Sequence, residues 1–251
     1  MLTISQVQAR SLLNKSKIFD YCLNPFLGCQ HACRYCYAAL FMRRYSGHSE
    51  PWGEFVDIKV NAPELLRQQL PRARRGTIWI ASVCDPYQPV ELKYQLTRKC
   101  LKEIIPRQFP VFIQTKSDLV VRDLDLLIEL KELEVGFSIA TDSDKIAALF
   151  EPGAPSISRR IKALEKIKAM KIKTFVFIGP LLPLNPASLI KHISGLADKV
   201  FIDRLNYGEQ FLKFYLQHGL EKFYQESYFQ NTGQELEALA RENKIEAEKL
   251  F

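Results

Sequence analysis

The stretch Asn24-Pro-Phe-Leu-Gly-Cys-Gln-His-Ala-Cys-Arg-Tyr-Cys-Tyr-Ala38 places Cys29, Cys33 and Cys36 in a C-x3-C-x2-C run. Three thiolates can meet at one metal centre. A closed structural site takes four protein ligands, whereas a reactive site leaves a position open. The spacing fits an iron-sulfur cluster with one vacant coordination position. Zinc is the alternative, since a Cys3His set can be drawn with His31 or with His48, twelve residues after Cys36. No second cysteine pair follows, however, and neither histidine has the usual finger spacing. Disulfides fit less well, because these three cysteines crowd one loop while Cys22, Cys84 and Cys100 are scattered. Unliganded thiols are the remaining reading.

Such residues need a scaffold. The chain has 251 residues, 47% of them hydrophobic and 25% charged, enough to bury a sizeable core. No long Gly/Ser/Pro run divides it, so one compact core over residues 1–205 and a helical extension over 206–251 packed on it are expected. No apolar stretch reaches membrane-spanning length, and residues 1–16 lack a signal-peptide core, which together argue for a cytoplasmic protein with reduced thiols. The net charge of +7 invites a polyanionic partner, DNA or RNA, or else marks a lysine-rich solvated surface.

Apolar or β-branched runs recur at Lys17–Leu23, Thr77–Val83, Pro110–Thr115, Glu134–Ala140, Thr174–Gly179 and Lys199–Arg204, each followed by helical periodicity. Six βα units predict a parallel sheet flanked by helices. That number is too small for a closed eight-stranded barrel, so an open six-stranded partial barrel is expected. Phe55–Val60 reads as an extra short edge strand. Leu92, Leu96, Cys100 and Ile104 predict one apolar helix face, and Val121, Leu124, Leu127 and Ile128 another. Asn61 with Glu64, Asn185 before Pro186, and Thr232 with Glu235 read as helix starts. In the tail, Phe211, Phe214, Tyr215, Phe223, Tyr224, Tyr228 and Phe229 predict packing across the barrel, with a base-stacking surface as the alternative.

Ligands of parallel α/β sheets gather at the carboxyl ends of the strands. There the chain carries, in order, the cysteine loop, Asp85-Pro-Tyr-Gln-Pro-Val-Glu91, Thr115-Lys-Ser117 with Arg122-Asp123, Glu151-Pro-Gly-Ala-Pro-Ser-Ile-Ser-Arg-Arg160 and Gly179-Pro-Leu-Leu-Pro183. The cysteine loop, with Tyr35 as the aromatic residue before its last cysteine, resembles the signature of the radical S-adenosylmethionine (radical SAM) superfamily. The ordered set of phrases, from about Lys17 to about Asp203, is similar to the DNA-repair-photolyase-like branch, relatives of spore photoproduct lyase.

The resemblance implies an α/β fold, the open parallel (β/α)6 partial barrel with a C-terminal helical tail. It implies a [4Fe-4S] cluster on Cys29, Cys33 and Cys36, and S-adenosyl-L-methionine at the vacant iron. In this class of enzyme the cofactor supplies the difficult chemistry. It further implies that Tyr35 lies near the adenine, that Lys116 meets the carboxylate or ribose, and that Ser138, Gly179 and an inward-turned Arg160 help to seat SAM. Arg160 would reach Glu151 or SAM itself. Tyr37 matches a tyrosine of hydrogen-atom relay. Ser82 stands where the lyase has its hydrogen-donor cysteine, and Cys84 stands at a serine position two residues on, so Cys84 is either the donor or a small core residue. An external electron donor of the flavodoxin or ferredoxin type, a monomeric state and reductive SAM cleavage belong to the same implication. The substrate would be a DNA lesion, with a peptide or small metabolite as the alternative; a non-catalytic metal-binding module for nucleic acid is the third. Arg43-Arg44 and Arg72, Arg74 and Arg75 are candidate phosphate contacts.

Overall fold

The computed structural model describes residues 2–206 and 211–251, and the backbone alone at residues 43–45. The side chains of Arg43 and Arg44, expected at a phosphate backbone, therefore lie outside the described residues. The strands are β1 (Thr3–Val7), β2 (Leu13–Lys15), β3 (Tyr21–Leu23), β4 (Phe26–Leu27), β5 (Phe55–Lys59), β6 (Ile78–Ile80), β7 (Val111–Thr115), β8 (Leu133–Ser138), β9 (Lys173–Ile178), β10 (Lys199–Ile202) and β11 (Glu246–Lys249). The helices are α1 (Tyr37–Ser46), α2 (Ala62–Gln69), α3 (Glu91–Tyr94), α4 (Leu96–Ile104), α5 (Leu124–Leu127), α6 (Asp144–Phe150), α7 (Ile157–Ala169), α8 (Pro186–Ile193), α9 (Leu212–Gln217) and α10 (Glu226–Glu242).

The main sheet has the order β11-β10-β9-β8-β7-β6-β3-β2. The six expected strands run parallel and in sequence order from β3 to β10. Each edge then gains one more. β2 joins β3 antiparallel, and β11 joins β10 in parallel, with Glu246 opposite Lys199. Lys199 Nζ lies 2.9 Å from Glu246 and 2.7 Å from Glu248, so the charged alternation of β11 is neutralised across the pair. The edges β2 and β11 do not meet, and the barrel stays open.

The two faces of this sheet have different work. Leu23, Ile80, Ile113, Val135, Val176 and Ile202 pack outward against the helices in one continuous core. Residues of opposite parity face the concave side, because strand side chains alternate. In its lower part they are aromatic: Phe112 lies 4.7 Å from Phe19 and 4.3 Å from Phe175, and Phe175 lies 5.6 Å from Phe201, ring centre to ring centre. Gly136 makes this stack possible. A Cβ there would stand 2.2 Å from the Phe175 ring.

Phe55–Lys59 is not an edge of the main sheet. It is the middle strand of a separate sheet, β1-β5-β4, whose Val56 and Ile58 pack with Phe26, Val90 and Leu96 in a second core. The apolar helix face expected from Leu92 breaks at Gln95, whose left-handed φ of 51° separates α3 from α4. Leu96, Cys100 and Ile104 are buried and Leu92 is exposed. Ile128 is likewise exposed, since Asp118–Asp123 is a 3-10 turn followed by a single turn of α-helix, Leu124–Leu127, an arrangement that buries Val120, Leu126 and Leu127.

Asn185 caps α8 by accepting from Ser188 N at 2.9 Å. Asn61 instead grips both backbone groups of Ala9 at 2.9 and 2.8 Å, and Thr232 lies buried inside α10. The tail aromatics pack inward: Tyr215 and Phe229 are buried, and Phe150 lies 5.2 Å from both Phe214 and Tyr215.

Gly136→Ala should destabilise the protein by about 1–3 kcal/mol, the usual cost of forcing bulk into a packed core, read as a lower midpoint of urea unfolding.

Candidate active site

The cysteine loop joins β4 to α1 without regular structure, so its polar backbone must be satisfied from elsewhere. Gln88, fully buried after the second parallel strand, accepts from Gln30 N at 2.9 Å and donates to Gly28 O at 3.1 Å. Gln30 answers by accepting from Val90 N at 2.7 Å. From the other side Phe150 O accepts from Arg34 N at 2.9 Å, and Gly153 N donates to His31 O at 3.0 Å. A Cβ on Gly153 would stand 2.0 Å from Gln30 O, so only glycine lets these two loops touch.

Asp85 ties the same loop to β7. Its carboxylate accepts from Tyr87 N, Thr115 Oγ1 and Lys116 N at 2.7–2.9 Å and lies 3.3 Å from His31 Nδ1. Burial alone would raise its pKa, but His31 and the hydrogen bonds from Thr115 and Lys116 N outweigh it and hold the group down at about 2. Glu91 accepts from Thr97 N and Arg98 N at the start of α4 and from Arg122 at 2.7 Å. Three polar residues of the Asp85–Glu91 phrase are thus scaffold.

The braced loop brings its three thiols to one cavity of about 1310 Å³ that runs along the concave face, from the carboxyl ends of the strands where the thiols sit to Thr77, Pro110 and Lys173 at their amino ends. Cys29 and Cys33 are buried and Cys36 is half-buried. Burial pushes all three thiols up, Cys33 to about 12. At Cys36 the N–H groups of Ala38 and Ala39, at the start of α1, partly offset this. Three thiols on one cavity, with no side chain among the described residues taking a fourth place beside them, are the donor set that a cluster with one vacant position would take. The donor set fits the group that the spacing suggested.

Tyr35, Lys116, Ser138 and Gly179 line this cavity with the cysteines. Tyr35 donates to Glu151, and burial together with that carboxylate keeps its phenol neutral. Lys116 Nζ lies 3.9 Å from Glu151 Oε1 and 5.6 Å above the Tyr35 ring. Ser138 Oγ accepts from Gln114 Nε2 at 3.0 Å. Gly179 offers bare backbone, since a Cβ would stand 2.5 Å from the Phe177 ring.

Arg160 is fully buried and turns inward to Glu151, while Arg159 stays exposed and pairs with Asp118 at 2.8 Å. Arg160 does not line the cavity. Its guanidinium also donates to Pro155 O and Ser138 O, both at 2.9 Å, behind the cavity wall. Tyr37 opens α1, lines the cavity and donates to Ser82 O. Cys84 lines the cavity as well, with its thiol pushed up to about 12 by burial.

Three further residues stand out only in three dimensions. The indole N–H of Trp52 is buried without an acceptor and lines the cavity beside the cysteines. Asp203 lines the opposite wall, where burial raises its pKa. Glu151, already noted within its phrase, proves to be the hub of the Tyr35, Lys116 and Arg160 contacts. For Trp52 no local pattern in the sequence gives a signal.

A fold of this kind with three cysteines at the mouth of a parallel partial barrel defines a class, and comparison with known proteins agrees. The chain belongs to the radical SAM superfamily, whose family model matches residues 23–194. It is 34% identical over 233 residues to an uncharacterized protein of Methanocaldococcus jannaschii, covering 90% of this chain and 86% of that one. It is also 34% identical over 173 residues to an uncharacterized protein of Acidianus two-tailed virus, covering 66% of this chain and 57% of the relative. Among solved structures it is similar to spore photoproduct lyase with bound AdoMet and dinucleoside spore photoproduct, with a TM-score of 0.71 at 14% identity over 100% of this chain and 82% of that one. Streptococcus suis SuiB bound to precursor peptide SuiA gives 0.58 at 12% identity, over 100% of this chain and 49% of that one. At these identities the structural likeness is one of fold.

The buried thiols have a consequence for stability. With a folded pKa of about 12 against an ordinary 9.0, Cys33 and Cys84 bind protons more tightly in the folded chain than in the unfolded one. This stabilisation is complete below pH 9.0 and is lost as the pH rises from there towards 12. The urea midpoint of the metal-free, reduced protein should fall between about pH 8 and about pH 10.5, and fall less in a C33S/C84S variant. Equal slopes for the two proteins would contradict it.

Proposed function

We propose that the protein is a radical SAM enzyme that holds a four-iron four-sulfur cluster through Cys29, Cys33 and Cys36 and acts on a damaged nucleic acid. The carrying observation is that the three thiols share one cavity with Lys116 at the carboxyl end of a parallel partial barrel. When bound, the reduced cluster and SAM supply a 5'-deoxyadenosyl radical for hydrogen abstraction.

The chain's own groups bind, orient and shield. The Lys116 ammonium has one long protein contact, at 3.9 Å, and faces the cavity, suited to a carboxylate. Burial would lower its pKa, but Cys33 and Glu151 hold it up and keep it charged. Tyr35 presents a ring beside this ammonium, suited to adenine or methionine packing. Ser138 has a hydroxyl proton to donate, because its oxygen already accepts from Gln114. The bare backbone of Gly179 admits a close neighbour. Arg160 acts one layer back, through Glu151 and Ser138 O. The neutral thiol of Cys84, with Tyr37 on the same cavity, would hold the hydrogen atom that quenches a substrate radical. The aromatic stack beneath gives the lower cavity an apolar wall.

Two observations favour nucleic acid over a peptide. The likeness to spore photoproduct lyase is closer than that to SuiB and takes in more of the neighbour's chain. In addition, Arg10, Lys15, Arg72 and Arg74 line a second groove, of about 520 Å³, with no carboxylate in its walls, whereas Arg75 is taken up by Glu132. Phosphates suit that groove. A flavodoxin- or ferredoxin-type electron donor, a reducing cytoplasm and a monomeric state complete the reading; all six cysteines are free, and no described helix is long and apolar enough to cross a membrane.

Anaerobic reconstitution with iron and sulfide should install about four irons per chain and allow reductive formation of 5'-deoxyadenosine from SAM. Alanine at any of the three cysteines should reduce that formation by more than about 100-fold. No cluster, or no 5'-deoxyadenosine, would overturn the enzyme reading. Ultraviolet-irradiated oligonucleotides should accelerate SAM turnover over undamaged ones; equal rates would remove the lesion as substrate. Cys84→Ala should preserve SAM cleavage while diverting product, and an unchanged product distribution would return Cys84 to a packing role.

A further inference from the structure

Beneath the cysteine loop lies a charge cluster with Glu151 and Arg160 behind the cavity wall and Lys116 and Tyr35 on it. Glu151 and Arg160 are both fully buried and paired through Oε2 and Nη2, and Lys116 approaches Oε1 of the same carboxylate. The other two guanidinium nitrogens of Arg160 are engaged by carbonyls, and the Tyr35 hydroxyl donates to Glu151. The other nearby carboxylate, Asp85, accepts from Thr115 and from backbone amides, lies 3.3 Å from His31 and acts on Lys116 from a greater distance. Within the trio of Glu151, Arg160 and Lys116, one anion answers two cations, and Lys116 is the one that reaches the cavity beside Cys33.

We propose that Glu151 is a positioning residue that sets the electric field of the cluster seat, pairing with Arg160 so that Lys116 is the cation of this trio that faces the seat. The inference rests on the cluster reading above. Charges act strongly across a buried, poorly screened site, and net charge near a cluster is one of the controls on its reduction potential. Reduction adds an electron to the seat. Exposing a further cation should therefore favour the reduced state, and removing one should disfavour it. Tyr35 contributes a hydrogen bond to this cluster but no charge.

The test is the midpoint potential of the reconstituted cluster, from redox titration followed by electron paramagnetic resonance. Glu151→Gln keeps the shape and the acceptor oxygen but removes the charge, and should shift the midpoint upward. Lys116→Gln should shift it downward. Tyr35→Phe, which breaks the hydrogen bond and leaves every charge in place, should match the native protein. A merely structural role for Glu151 predicts lost iron or lower stability in E151Q with no such ordering of potentials. Should E151Q take up no iron, K116Q decides alone, because its side chain ends on the cavity and its removal leaves the Glu151–Arg160 pair intact. Native potentials in the iron-loaded variants would overturn the inference, as would shifts of the opposite sign. Failure of the native protein to form any cluster would instead overturn the proposed function.

Discussion

Everything near the cavity depends on holding an irregular loop open with three thiols facing the same space. Such a loop forms no backbone ladder of its own, and a buried amide without a partner is costly. The protein meets this with side-chain amides and carboxylates brought from other strand ends. Gln88 grips the loop on both sides of Cys29, residues 150–153 brace it beyond, and Asp85 joins His31 to the β7 terminus. The phrases that punctuate the strand ends owe their polarity to this requirement as much as to ligand binding.

The barrel divides into two zones by the same economy of contacts. Below, rings stack across the concave face over Gly136 and give the cavity an apolar wall. Above, the concave positions turn polar at Gln114, Ser138 and Asp203, and the cavity opens beside the cysteines. The transition falls within single strands: Phe112 and Gln114 are two residues apart on β7 and share a face. The charged β11 forms the margin of the sheet, held through Glu246 and Glu248 on Lys199.

Much of this was legible in the sequence because it obeys short-range rules. The six parallel strands follow from apolar runs at regular spacing, and the helix start at Asn185 from its cap. Errors arose where local rules met a longer-range competitor. Leu92 and Leu96 looked like one helix face and are separated by the left-handed Gln95; Phe55–Lys59 looked like an edge and became the centre of another sheet; α2 does start after Asn61, but that side chain is spent on Ala9. β11 carries alternating charges that no hydrophobic pattern announces, and only Lys199 on the neighbouring strand explains them.

By itself, the sequence determined the cysteine spacing, the superfamily and the order of strands, since the cysteine loop, apolar periodicity and strand-end phrases are written along the chain. Only the tertiary structure decided which of two adjacent arginines is buried, that Trp52 and Asp203 reach the cavity, and that one carboxylate answers both Lys116 and Arg160. Those outcomes depend on the balance of burial and charge between segments far apart in sequence. That balance exists only once the strands have brought them together.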